Sequence, residues 1–259
     1  MIKKTAAILS ATMILTAAGT VHESFAESAS AATTTTSTTT ATTTDTTSTA
    51  TGTTSASTTT TATTTSTVTY YKVGSTGDAV MKLQTDLKAL GYFTYPTITN
   101  YFGTITRDAV IAFQKDYGLY PDGVVGPMTS EAIAHAIVKK ALLADSLNYL
   151  NTPYLWGGYT PAGFDCSGFV YFMFNKFGVA QKRVSSSVLY TQGTSIEKSM
   201  LRPGDLVFFK IGSTGAIDHV GFYLGNGEFI SALSSKGIYI QKLDNTYWGP
   251  RYAGARRVY

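Results

Sequence analysis

The spacing of hydrophobic and polar positions predicts three helices in the middle of the chain. Large apolar residues recur every three or four positions over residues 78–90 and 106–117, and a glycine follows each run. A third helix is predicted to begin at Pro127, because proline is favoured at the first helical position and Gly126 can precede it as a cap. Turn-rich pieces separate these runs. Residues 70–138 are therefore expected to form a small three-helix domain.

The pattern changes beyond residue 138. A helical segment follows over residues 139–150 with almost no break, and no Gly, Pro or Ser cluster marks a flexible joint. Another helix is predicted over residues 166–177, and short strand-like runs occupy residues 205–211, 219–224, 228–233, 237–243 and 254–259. A helix layer against a segregated antiparallel sheet is typical of an α+β fold. Residues 139–259 are therefore expected to form an α+β domain held rigidly next to the first.

The first 69 residues lack the pattern of a folded domain. Residues 1–26 combine a basic start, an apolar run and the small-residue cleavage pattern of Ser24-Phe25-Ala26, which is the layout of a secretory signal peptide. A buried N-terminal helix is the alternative. Residues 27–69 are almost entirely Thr, Ser and Ala, so they bury too little apolar surface to offset the entropy of ordering. We expect a disordered linker there, with an extended strand as the alternative, and a secreted mature chain without a membrane span.

Composition excludes several classes of function. The net charge of +4 is mild and comes from mixed charges, which does not indicate nucleic-acid binding. Once the signal is removed, the chain holds two histidines, His135 and His219, and one cysteine, and no carboxylates cluster with them at metal-ligand spacing. No glycine-rich phosphate loop precedes a helix either. We therefore expect neither a metal nor another cofactor.

Cys166 is the candidate nucleophile. A lone cysteine in a secreted chain cannot form an internal disulfide, so it is either a reactive thiol or an inert buried one. Asp165 is a good helix cap, which places Cys166 in a first helical turn. There the helix N-terminus lowers a thiol pKa, and its free N–H groups can hold an oxyanion. His219, at the start of a predicted strand, is the candidate base, whereas His135 is expected to be a packing residue of the third helix.

Four segments of the second domain resemble the NlpC-type peptidoglycan endopeptidases. They are residues 154–158 (YLWGG), 164–170 (FDCSGFV), 202–209 (RPGDLVFF) and 219–227 (HVGFYLGNG). The resemblance implies a papain-like α+β fold and a cysteine peptidase that cleaves next to D-glutamate, usually at the γ-D-glutamyl–diaminopimelate bond. It also implies that Tyr154 lies beside the nucleophile, and that Asp165 and Ser167 help to hold the free amino end of a stem peptide.

The third catalytic position departs from the family pattern. Where the family often has a second histidine, this chain has Ser231, whose hydroxyl can accept the imidazole N–H of His219 and fix its tautomer but adds no charge. The alternative is that Ser231 is a plain strand residue and that another group orients the imidazole.

The three-helix domain resembles the type 1 peptidoglycan-binding domain. The matching segments are residues 77–80 (GDAV), 83–84 (LQ), 90–92 (LGY), 102–103 (FG), 109–110 (AV), 113–114 (FQ) and 122–126 (DGVVG), followed by Thr129. Together the two resemblances imply a monomeric, cell-wall-associated hydrolase whose partner is peptidoglycan. An amidase or cross-bridge peptidase with the same thiol mechanism and a non-catalytic wall-binding protein remain the alternatives.

Overall fold

The computed structural model describes residues 34–35 and 68–259. The predicted signal peptide lies outside the described residues, as does most of the predicted linker. Within the linker range, strand β1 (Thr34–Thr35) pairs antiparallel with strand β2 (Val68–Thr69). The extended backbone of these four residues is in keeping with the preference of Thr and Val for strands, and the predicted linker otherwise stays a prediction.

The three-helix domain has the predicted helices, α1 (Asp78–Leu90), α2 (Thr104–Tyr117) and α3 (Pro127–Ser146). Helix α2 begins two residues earlier than expected, because the backbone of Gly103 is extended and acts as its N-cap. Gly91 and Gly118 end α1 and α2 in the left-handed conformation, which costs glycine little. Five fully buried side chains fill the centre of the domain: Val80, Leu87, Phe102, Val110 and Phe113.

Helix α3 contributes to two hydrophobic cores. Its first half supplies Ile133 and Ala136 to the core of the three-helix domain, and its second half supplies Leu142 and Leu143 to the core of the α+β domain. The predicted helical segment at 139–150 is therefore the second half of α3, extended by a 3₁₀ turn at Leu147–Tyr149. The expected boundary between residues 138 and 139 lies inside a continuous helix.

The second domain confirms the predicted α+β class. It contains helix α4 (Cys166–Lys176), a short hairpin of β3 (Tyr159–Thr160) and β4 (Gly163–Phe164), and a one-turn helix α5 (Ser186–Leu189). The sheet has six antiparallel strands in the order β5-β10-β6-β7-β8-β9. These strands are β5 (Thr194–Ile196), β6 (Leu206–Phe209), β7 (His219–Gly225), β8 (Glu228–Leu233), β9 (Gly237–Lys242) and β10 (Tyr252–Arg257). The sequence pattern missed α5 and β5, which are short and mostly polar.

Helix α4 packs on the sheet. Phe169, Val170, Met173 and Phe174 of the helix share one buried cluster with Val220 and Phe222 of β7 and Ile230 of β8. Burial of these apolar side chains holds α4 against the sheet. As a result the first turn of α4, which carries Cys166, lies against the start of β7, which carries His219.

Candidate active site

Asp165 caps helix α4, as the sequence predicts. Its backbone is extended, and its Oδ1 accepts a hydrogen bond from the Gly168 N–H at 2.6 Å. The cap satisfies one of the free N–H groups of the first turn and fixes where the helix begins. Cys166 is consequently the first residue of α4.

The Cys166 thiol is buried and protonated. It is 9% exposed, and its Sγ lies 3.9 Å from the Asp218 carbonyl oxygen, to which it donates. Burial raises the pKa of Cys166 to about 11, and the Asp165 charge raises it further, while the backbone N–H groups of Val220 and Ser167 lower it. The N–H groups act in the expected direction, but the expected net lowering of this pKa is wrong because desolvation outweighs them.

His219 lies at the start of β7 and is held from two sides. Its Nε2 is 3.0 Å from the Ser231 Oγ on the neighbouring strand β8, and its ring stacks on Trp248 with 5.1 Å between centroids. Burial lowers the pKa of His219 to about 4, against the opposing charge of Asp218, so the imidazole is neutral at pH 7. The structure thus places the Ser231 hydroxyl next to an imidazole nitrogen of His219. It also adds Trp248, an aromatic loop residue that no sequence motif marked.

Asp165 and Ser167 have internal partners in addition to their expected role in binding. Asp165 Oδ2 accepts from the Gly157 N–H at 2.9 Å and from the Arg183 guanidinium, and Oδ1 accepts from the Ser167 hydroxyl at 3.1 Å. Arg183 also donates to Ser167 Oγ at 2.8 Å. Sequence reasoning missed Arg183, since nothing local connects residue 183 with residue 165. Its charge compensates the carboxylate that was expected to face an ammonium group.

A groove of about 920 Å³ gives access to these residues. Cys166, His219, Tyr154 and Asp165 all line it, so both candidate catalytic residues border the same space. Burial and the neighbouring Cys166 and Asp165 charges raise the pKa of Tyr154, which leaves its hydroxyl a hydrogen-bond donor at neutral pH. At the edge of the groove, Trp156 is 87% exposed.

His135 and metal ligation are not features of this groove. The His135 ring stacks on Tyr259 with 3.9 Å between centroids, which is the packing role expected for it. Within residues 34–35 and 68–259, no three His, Cys, Asp or Glu side chains are grouped so that they could hold a metal ion. Over the same part of the chain, no helix is long and apolar enough to cross a membrane.

An α+β domain with a cysteine at a helix start and a histidine at a strand start in one groove has the layout of a cysteine peptidase. Comparison with known proteins agrees: residues 151–257 match the model of the NlpC/P60 family, and residues 76–133 match a model described as "Putative peptidoglycan binding domain". The curated protein "Probable endopeptidase NlpC" of Escherichia coli is 42% identical over 134 residues, which cover 51% of this chain and 86% of that protein. The chain belongs to the NlpC/P60 family.

Other relatives are longer than the matched segment. "Probable peptidoglycan endopeptidase LytE" of Bacillus subtilis is 42% identical over 116 residues, 45% of this chain and 33% of LytE. "Murein DD-endopeptidase MepS/Murein LD-carboxypeptidase" of Escherichia coli is 42% identical over 122 residues, 47% of this chain and 63% of MepS. The chain thus covers less than two thirds of either protein. Among solved structures, an NlpC/P60 family protein from Bacillus cereus matches with a TM-score of 0.44 and 32% identity, over 46% of this chain and 40% of that one.

Proposed function

We propose that this chain is a secreted peptidoglycan hydrolase that cleaves stem peptides with Cys166 as nucleophile and His219 as base. One observation supports this most strongly: both side chains line a single groove, with the sulfur on the first residue of α4 and the imidazole tethered to Ser231 at 3.0 Å. Membership of the NlpC/P60 family and relatives named as peptidoglycan endopeptidases support the substrate class.

The mechanism starts from a neutral pair. The pKa of Cys166 is raised and that of His219 lowered, so the thiol proton passes to the imidazole as the sulfur attacks the peptide carbonyl. Free backbone N–H groups at the start of α4 hold the developing oxyanion. The imidazolium then protonates the departing amine, leaving a thioester. Water, deprotonated by the same imidazole, hydrolyses the thioester and restores the thiol.

The remaining groove residues position the reactants. Ser231 fixes the orientation of the His219 ring, because its hydroxyl lies at Nε2. The other ring nitrogen, Nδ1, then accepts the proton of the thiol. Tyr154 provides a hydroxyl beside the nucleophile. Asp165 and Ser167, together with Arg183, form a polar group at the helix start that contacts the stem peptide.

The bond cleaved is proposed to be the γ-D-glutamyl–diaminopimelate bond. A second candidate is a cross-link between stem peptides, and two observations favour it. The relative MepS is named a murein DD-endopeptidase, and Arg183 already neutralises the Asp165 carboxylate that would hold a free amino end. An amidase with the same thiol mechanism is the third possibility.

The domain organisation is part of the proposal. Residues 1–26 direct export, residues 27–69 act as a linker, residues 70–138 bind peptidoglycan and residues 139–259 cleave it. The family matches at 76–133 and 151–257 lie inside the two proposed folded domains. We propose that the mature protein acts as a monomer in the cell wall and uses no cofactor.

Substitution of Cys166 by alanine tests the proposal. Cys166→Ala should lower cleavage of purified soluble muropeptides by at least about a thousandfold, because the nucleophile is lost, and should leave binding to insoluble wall unchanged. Mass spectrometry of the wild-type products identifies the bond cleaved.

The two histidines provide a matched control. His219→Ala should abolish turnover, and His135→Ala, which removes an imidazole remote from the groove, should not. Thermal unfolding of each variant checks that the fold is retained. Turnover by Cys166→Ala would refute the nucleophile, and a wild-type chain that binds wall but cleaves no muropeptide would support the non-catalytic alternative.

A further inference from the structure

The three-helix domain has a groove of its own, on the side formed by the α2–α3 connection. Its volume is about 420 Å³, and three segments line it: Tyr70 before α1, residues 119–124, and the first turn of α3. Three large side chains around it face solvent, Tyr120 at 84% exposure, Met128 at 72% and Tyr70 at 40%. Exposed aromatic and apolar side chains gathered around a depression mark a binding surface.

The groove is rigid before anything binds. The buried Gln114 side chain donates to the Val124 carbonyl at 3.0 Å and accepts from the Gly123 N–H at 2.9 Å, which fixes the connection that carries Tyr120. The Tyr70 ring lies flat against Gly126, where an added Cβ would be 2.8 Å from the ring. A backbone bridge between Tyr71 and Val125 ties this N-terminal segment to the connection. Little conformational entropy is left to lose on binding.

The charge of the lining selects the kind of ligand. Asp122 is the charged residue of the groove, and no lysine, arginine or histidine lines it. A stem peptide carries carboxylates, which Asp122 would repel and no cation of the groove would attract, so that only its amino group would be favoured there. The glycan of peptidoglycan, by contrast, offers neutral rings with apolar faces, hydroxyl groups and N-acetyl groups. Tyrosine rings suit the sugar faces. The Oδ1 atom of Asp122 already accepts from the Gln114 side chain and the Val124 N–H at 2.9 Å each, and its Oδ2 atom can accept from sugar hydroxyls.

We propose that this groove binds the glycan strand of peptidoglycan, with Tyr120 and Tyr70 stacking on N-acetylated sugar rings and Met128 packing beside them. The proposal rests on the wall-binding role proposed above for this domain and specifies its ligand and its site. It places the binding of the glycan in one domain and the cleavage of the peptide in the other.

The α1–α2 connection supplies matched controls, because it is built in the same way. Buried Gln84 donates to the Tyr101 carbonyl at 2.9 Å and accepts from the Thr99 N–H at 2.7 Å, as Gln114 does in the α2–α3 connection. Tyr95 (46% exposed) precedes a proline there, as Tyr120 does, and Ile105 (47% exposed) is the second residue of α2, as Met128 is of α3. Neither Tyr95 nor Ile105 lines the groove.

Binding is measured with the full chain carrying Cys166→Ala, so that the wall stays intact. The probes are glycan strands freed of stem peptides, N-acetylglucosamine oligomers, and free stem peptide. Tyr120→Ala should weaken glycan binding about five- to tenfold, through loss of one stacking platform, and Met128→Ala should weaken it less. Tyr95→Ala and Ile105→Ala should each change it less than about twofold. All four side chains are exposed, so thermal unfolding should be unaffected.

Two outcomes would overturn the proposal. One is equal glycan affinity for Tyr120→Ala and Tyr95→Ala. The other is displacement of the protein from wall by free stem peptide and not by N-acetylglucosamine oligomers, which carry no carboxylates, unlike glycan strands freed of peptide. That result would make the ligand a peptide. Cleavage of a soluble stem peptide that carries no glycan is measured separately, in the chain that retains Cys166. Its rate should be the same with and without Tyr120→Ala. If the hydrolase proposal is wrong, this cleavage is absent and the binding results are unchanged.

Discussion

Cys166 and His219 illustrate how burial changes the chemistry of single residues. Both are nearly inaccessible, and desolvation is the largest cause of both pKa shifts, so each neutral form is favoured and the two pKa values move apart, to about 11 and about 4. The resting site therefore contains a thiol and an imidazole in place of a thiolate–imidazolium pair. In the proposed mechanism, His219 therefore acts as a base only when the substrate carbonyl is in place to receive the electron pair of the sulfur.

Alkylation of Cys166 by iodoacetamide tests this protonation state. Only the thiolate reacts. At pH values below the pKa, the thiolate fraction rises about tenfold with each unit of increase in pH. Because the pKa of Cys166 is about 11, the rate constant should keep rising from pH 7 to pH 10. His219→Ala should show the same slope, since the imidazole is already neutral over this range. A plateau between pH 5 and pH 8 that is lost in His219→Ala would instead demonstrate a preformed ion pair.

At the scale of elements, the first turn of α4 fits closely against the loop that carries Trp156. A Cβ added to Gly168 would lie 1.9 Å from the Gly158 carbonyl oxygen, so the two backbones meet with no room for a side chain. The Gly157 N–H adds a hydrogen bond to the Asp165 cap at 2.9 Å. These contacts fix the position of Cys166 relative to the loop that carries the exposed Trp156, and both residues line the groove.

Gly168→Ala should therefore destabilise the protein although alanine is the better helix former. Helix propensity favours alanine by about 1 kcal/mol, but the clash with backbone forces α4 and the loop apart, and overpacking of this kind costs about 1–3 kcal/mol or more. Urea unfolding should show the loss, and muropeptide cleavage should fall with it.

Gly249→Ala is the control for this prediction. An added Cβ there meets nothing closer than 3.7 Å, and the backbone is not left-handed, so stability and activity should be unchanged. If Gly168→Ala and the wild type were equally stable, the loop that carries Gly158 would be able to move away from the added methyl group. The loop would then not fix the first turn of α4.

At the scale of the molecule, helix α3 and side-chain contacts join the two domains. Arg202 of the α+β domain donates to the Asp116 carbonyl and lies over the Tyr117 ring at 4.6 Å, and His135 stacks on Tyr259. Because α3 is continuous through the boundary, the groove proposed to bind glycan and the groove proposed to cleave peptide are joined without a flexible linker. If both proposals hold, such a junction favours cleavage of peptides attached to the strand that is bound.

A Gly-Ser-Gly-Ser insertion after Ile137 tests the role of the continuous helix. It should turn one cooperative thermal transition into two, since each core can then unfold alone, and it should slow digestion of insoluble wall several-fold. Soluble muropeptides should be cleaved as before. The same insertion after Thr97, in an exposed connection, should keep one transition and normal wall digestion. Two thermal unfolding transitions in the wild-type chain would contradict the expectation that the two domains unfold together.

The local pattern of the chain determined much of the fold. Helical spacing placed the starts of α1 and α2 to within two residues, Pro127 and the Asp165 cap placed the starts of α3 and α4, and strand-like runs located β6 to β10. These features depend on neighbours within a few positions, which the sequence displays directly. Short polar elements such as α5 and β5 carry too few apolar positions to produce a pattern, and they form because the rest of the domain packs around them.

The sequence alone also determined that a lone cysteine follows a capping aspartate and that a histidine begins a strand. Only the tertiary structure decided the environment of those groups: Arg183 beside Asp165, Trp248 against His219, and burial strong enough to raise the thiol pKa and lower that of the imidazole. The physical reason is range. Caps and periodicity act along a few residues of backbone, whereas desolvation and charge pairing depend on side chains that are distant in sequence and meet only when the chain is folded.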